Sequence, residues 1–348
     1  MIAERTLRAA LDRGILTVPQ AEALRVLEAE LDAAAPAVPI SHDDERLRFI
    51  TGFGDIFVTI GLGLFLTALS YFADRTLSLP AGWAAIAAAS WLLAEYFTRR
   101  RRMALPSIVL LIVFAGSVMA AASLLLTGST GGWLFGFANA PHGLELAGAG
   151  VATLAAVTLH YARFHVPITI AAGAAALVAI IVGLAGALIP ALAEGPSPLL
   201  LILCGLGVFA LAMAFDMSDP HRETRRTDIA FWLHLLAAPL IVHPLFNGLT
   251  GDASSGGVPV WPVLIAFLLL GAVAVLIDRR ALLVSGLVYA GYAFGALVRS
   301  SGLTGLETPL TLLVLGGFVL LLSAAWHPLR RAVLSVLPPG LAGRLPRP

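Results

Sequence analysis

Residues 92–107 read LLAEYFTRRRRMALPS, four consecutive arginines between two apolar runs, with a glutamate just before them. Such a stretch is either a basic binding motif or the turn between two membrane-crossing helices, and the rest of the chain decides which. Of 348 residues, 59% are hydrophobic and 12% charged, and the mean hydropathy is +0.91. A soluble domain carries roughly a quarter charged residues. The chain therefore reads as a membrane protein and the arginines as a turn.

A hydrocarbon core of about 30 Å requires roughly 18 or more apolar residues per helix. About ten such stretches follow one another, at 56–73, 79–97, 104–126, 143–162, 166–189, 198–215, 229–247, 259–277, 281–298 and 306–326. The expected fold is all-α. It comprises a polytopic transmembrane bundle at 49–326, a small N-terminal cytoplasmic helical hairpin with its linker at 1–48, and a cytoplasmic amphipathic tail at 327–348.

Arginine bias sets orientation, because positively charged short loops stay in the cytoplasm. Alternate loops hold Arg99 to Arg102, Arg163, Arg222 with Arg225 and Arg226, Arg279 with Arg280, and the tail arginines from Arg330 onwards. The opposite side holds only Arg75 and Arg299. An even number of spans in the bacterial inner membrane, with both termini cytoplasmic, follows. All basic residues are arginine and net charge is only +1, so the lipid bilayer is the expected partner and nucleic acid is not. The single cysteine, Cys204, excludes a disulfide framework.

The N-terminal segment carries its own punctuation. Gly14 suits a left-handed helix end, and Thr17 with Gln20 forms a capping pair around Pro19 in a first turn. Ala21, Leu24, Leu27 and Leu31 then make an apolar stripe. A hairpin this small cannot bury a core alone, so residues 1–33 are expected to associate with a cytoplasmic protein, a second copy or the membrane domain. Residues 33–45 read as linker.

Candidate functional residues are few. Asp55, Thr59, Gly63, Thr67, Ser70, Tyr71 and Asp74 recur at steps of three or four in the first span, a stripe that lines a pathway or packs helices tightly. In the ninth, Ser285, Tyr289, Tyr292, Ala296 and Arg299 share a face, with Glu307 across a short loop as a partner for Arg299. This reads as an outward-facing binding mouth or an interfacial anchor. His234, inside the seventh span, is proton-responsive or bonds a neighbouring helix. Loop 216–223, from Asp216 to Glu223, lacks calcium- and zinc-site spacing and reads as a solvated turn. No cofactor, metal site or catalytic residue is expected.

Gly14-Ile15-Leu16-Thr17 followed by Gln20-Ala21, ahead of many small-residue spans, resembles the bacterial membrane proteins grouped as DUF2157. The resemblance implies a polytopic membrane location and transfers no site. Two functions fit the architecture. One is transport-like, binding or moving a small neutral or lipid-like molecule along a route lined by the first and ninth spans. The other is a membrane-anchored scaffold or sensor whose N-terminal hairpin recruits a partner.

Overall fold

The computed structural model describes residues 10–34, 53–127, 143–189, 192, 197–219, 224–250, 260–279, 281–302 and 305–336. Two units separate, Met1–Glu45 and Arg46–Pro348.

In the N-terminal unit a helix ends at residues 10–12 and Gly14 adopts φ +67°. The Gly14 amide donates to Leu11 O at 3.0 Å and the Ile15 amide to Ala10 O at 2.9 Å. These two bonds satisfy carbonyls that the helix end leaves open, and they need the left-handed residue that glycine supplies. Helix α1 (Val18–Ala34) then starts. Gln20 reaches back as expected: its Oε1 accepts from both the amide and the hydroxyl of Thr17, each at 2.9 Å. The start of the first helix and the linker from residue 35 lie outside the described residues, so the hairpin is seen only in part.

In the second unit a helix occupies every one of the apolar stretches. They are α2 (Phe53–Thr76), α3 (Leu79–Ala94), α4 (Ala104–Thr127), α5 (Gly143–Phe164), α6 (Ile168–Leu188) and α7 (Pro198–Met217), then α8 (Arg225–Thr250), α9 (Val260–Ile277), α10 (Ala281–Ser300) and α11 (Glu307–Ala324). A terminal helix, α12 (Trp326–Val336), follows. Proline sets several starts, with Pro80 in the first turn of α3, Pro167 capping α6 and Pro198 opening α7. There the missing N–H would be unpaired anyway.

Seven of these helices are long and apolar enough to cross a membrane, or eight if the pair 308–324 and 326–333, bent by 70°, is one span. The expected count of about ten is thus met only in part. α3 falls short as a regular helix because at Glu95 it passes into a six-residue π-helical segment, Glu95–Arg100. Much of the surface is large and apolar, including Leu64, Phe65, Leu313 and Leu320. Contiguous exposed apolar area on this scale fits a lipid environment rather than water.

Neighbours in sequence pack as hairpins, and α8 ties the bundle together by meeting α6, α7, α9 and α10. Its central role follows from its buried face: Ile229, Leu233, Ala237 and Leu240 pack on α6 and α7, while Val242 and Phe246 pack on α9 and α10. α5 and α6 approach most closely where glycine faces glycine. A Cβ on Gly183 would lie 2.5 Å from Ala147 N and 2.6 Å from Gly143 O. Small residues permit such contact between membrane helices.

Two expectations change here. The α2 stripe does not face one way. Steps of four on a helix of 3.6 residues per turn accumulate, placing Tyr71 about 160° around the axis from Asp55. Asp55 is accordingly buried with Leu62 and Leu66 on the bundle side, while Thr67 and Tyr71 face outward. In α12, Arg330 points inward and is buried, and Leu329 is exposed. The tail helix thus turns Arg330 together with Trp326 and Val333 towards the bundle and leaves Leu329 and Arg331 exposed.

Candidate functional site

The sequence-predicted residues fall into separate places. α2 packs on α3 and α4, whereas α10 packs on α8, α9 and α11. Tyr71, His234 and Tyr292 do not converge: Tyr71 and Tyr292 are exposed on different helices and His234 is fully buried. Thr59 donates its hydroxyl to Asp55 O at 2.7 Å, a bond within its own helix.

The α10 stripe divides in two. Tyr289 bonds His243 Nδ1 through its hydroxyl and stacks on Phe246, centroids 4.8 Å apart, joining α10 to α8. Tyr292 and Arg299 instead line a shallow groove of about 280 Å³ between α10 and α11. Thr311, whose buried Oγ1 finds no hydrogen-bond partner among the described residues, lines the same groove. The side chain of Glu307 lies outside the described residues, so its pairing with Arg299 is not seen.

His234 belongs to a buried ionic core that sequence reading did not assemble. Asp216, at the last turn of α7, is 3% exposed, Arg279, just past α9, 1%, and His234 on α8 0%. The Asp216 carboxylate accepts from His234 Nε2 at 2.9 Å and from Arg279 Nε at 3.1 Å, and it also receives the Arg279 terminal amine. Next to it, Asp278 accepts from Trp326 Nε1 at 2.7 Å and pairs with Arg330 at 3.6 Å. His234 Nδ1 has no hydrogen-bond partner among the described residues. The expectation of a solvated turn at 216–223 is thus overturned at its first and fourth residues. Asp216 is buried in this core, and Asp219 is buried accepting from the Thr224 amide at 2.8 Å and the Thr227 hydroxyl at 3.1 Å.

The second constellation grows from the opening stretch. Glu95 pairs with Arg99 at 3.3 Å, the helical spacing read from the sequence, and more closely with Arg163 of α5 at 2.6 Å. This link draws the turn after α3 against the turn after α5. Between them and the start of α8 lies an open-sided pocket of about 530 Å³. Arg99, Arg102, Arg163 and Arg225 reach it from three different arginine-bearing turns, with Asp228 as the one carboxylate in its lining. Its floor is apolar, built from Ile108, Phe164, Ile168 and Trp232.

Backbone geometry adds to the field. α4, α6 and α8 all begin at this pocket, and the N-terminal end of a helix carries about half a positive charge. Two lining residues, Arg102 (φ 53°) and His165 (φ 54°), hold left-handed backbone without being glycine. Strain of this kind concentrates at functional sites. Thr98, in the π-helical segment, also lines the pocket, and its buried hydroxyl has no partner among the described residues. π-helical turns recur at functional sites as well.

Among the described residues no group of three metal-ligating side chains forms. Comparison with known proteins returned no matching family model, no matching curated protein and no matching solved structure.

Proposed function

We propose that the chain is a ten-span inner-membrane protein with both termini cytoplasmic and transport-like architecture, which binds, and moves, a lipid-like molecule. The location agrees with the resemblance of Gly14 to Ala21 to DUF2157 proteins. One observation carries the functional reading: the pocket of about 530 Å³, arginine-rimmed above and apolar below, at the end of the bundle where the arginine turns meet. A cavity of this size with a few convergent polar groups has the form of a ligand site. Its amphiphilic lining matches a molecule with a polar head and an apolar body, and its arginines favour that over a small neutral solute.

Native mass spectrometry of the full chain released from detergent tests this. The chain is expected to retain bound lipid, and Ala104→Trp, which fills the pocket from the α4 end, is expected to remove it. Retention of the same lipid by this variant would overturn the proposal.

The scaffold reading has its own support in the N-terminal unit, where Ile15, Val18 and Leu27 are exposed on a segment with well-formed caps. Deleting residues 1–48 should then abolish capture of a cytoplasmic protein or self-association while membrane insertion persists. Unchanged capture removes this reading.

A further inference from the structure

Resting on the lipid reading just given, the geometry points to a specific ligand chemistry: we infer that the pocket seats the phosphate headgroup of an anionic lipid, with Arg102 and Arg225 as its phosphate ligands and the Thr98 hydroxyl as a hydrogen-bond donor.

The division among the four arginines comes first. Arg99 and Arg163 are both engaged by Glu95. Arg102 and Arg225 make no ion pair among the described residues, yet both line the pocket. Guanidinium is the side chain suited to bidentate binding of phosphate oxygens. The second observation is Thr98. At 9% exposed it is nine-tenths buried, its Oγ1 is unpartnered among the described residues, and it lies in the pocket wall. Thr59, Thr76, Thr153 and Thr158 each donate to a carbonyl one turn earlier. A buried hydroxyl without a partner costs free energy, and a phosphate oxygen would recover it.

Helix starts and strain support the same assignment. The positive ends of α4, α6 and α8 converge where these groups meet, and oxyanions bind such ends. Arg102 is held at a φ that glycine would adopt more cheaply. What glycine lacks is the side chain, so the strained position has a use if the guanidinium binds. The apolar floor of Ile108, Phe164 and Trp232 favours a lipid over free phosphate, because it would cover the first carbons of an acylated glycerol. Basic pockets between helices on the cytoplasmic side recognise lipid headgroups by this chemistry.

The test is ligand-dependent thermal stabilisation of the full chain in detergent, titrated separately with phosphatidylglycerol, phosphatidylcholine and inorganic phosphate. Phosphatidylglycerol should half-saturate the shift at a concentration roughly tenfold or more below phosphatidylcholine, with inorganic phosphate weak. Arg102→Gln with Arg225→Gln should erase that preference, and Thr98→Val should weaken phosphatidylglycerol several-fold. Arg102→Gly guards against misfolding as an explanation, because it should melt no lower than the parent and still lose the preference. Equal half-saturation by the two lipids, a preference that survives the double glutamine change, or stabilisation by inorganic phosphate equal to that by lipid overturns the inference. If the headgroup preference is absent while lipid loss still follows Ala104→Trp, this inference fails and the lipid reading stands. Lipid insensitive to Ala104→Trp removes the reading beneath it.

Discussion

Asp216→Asn is the perturbation that the buried ionic core makes most informative. In the parent, one carboxylate faces Arg279 through two nitrogens and His234 through Nε2, and all three residues are essentially inaccessible. Removing its charge takes the Asp216 anion away from the buried Arg279 guanidinium, and breaking one side of a buried pair costs about 3–5 kcal/mol. Arg279→Gln takes the guanidinium from the buried carboxylate, leaving it the His234 contact, and should cost a similar amount, about 3–5 kcal/mol. If the charges act as a pair, Asp216→Asn with Arg279→Gln should lose far less than the sum, because two amides bury more cheaply than one ion. A coupling of about 2–3 kcal/mol is expected, a factor of roughly 30 or more in the unfolding constant at about 1.4 kcal/mol per tenfold. The assay is equilibrium unfolding in mixed micelles, followed by tryptophan fluorescence with both singles and the double in one series. Singles costing under about 1 kcal/mol, the range of an exposed pair, or a double equal to the sum would refute the reasoning.

Three further outcomes are expected. Arg102→Gly relieves left-handed backbone strain and should raise stability by about 1 kcal/mol, read as an upward melting shift; a lower melting temperature would show that the side chain's contacts outweigh the strain. Gly183→Ala puts a methyl 2.5 Å from backbone that cannot yield and should cost about 1–3 kcal/mol, whereas Gly63→Ala meets nothing within 4 Å and should be nearly neutral; equal melting of the two would contradict the close α5–α6 crossing. Tyr289→Phe removes the hydroxyl bonded to His243 and should cost about 1 kcal/mol, with the α8–α10 contact loosened in amide exchange; unchanged exchange would place no weight on that bond.

Much of the helix layout was legible because apolar runs and their punctuation are local. The stop at Gly14 and the start at Thr17 act within one turn of chain, and the Glu95–Arg99 pair spans one turn as well. The ionic core was not legible for the opposite reason. Asp216 and Arg279 lie 63 residues apart, each beside a turn where charge is ordinarily solvated, and Arg279 served only as a mark of orientation. Hydropathy along a chain does not say which helix end folds over which. The pocket was half legible: its arginines were read as topology signals, but that three turns converge on one cavity depends on α5 and α8 packing beside α4 and α6. The α2 stripe misled because polar residues four apart look aligned over two steps and wind away over four.

In the proposed function the arginine turns build a lipid site at one end of the bundle. Cryo-electron microscopy of the full chain in nanodiscs containing phosphatidylglycerol tests it most directly. Headgroup density is expected between the starts of α4, α6 and α8, within hydrogen-bond distance of Arg102, Arg225 and the Thr98 hydroxyl, with acyl density over Trp232. A water-filled pocket, or arginines turned away from it towards bulk solvent while lipid occupies other grooves, would contradict it.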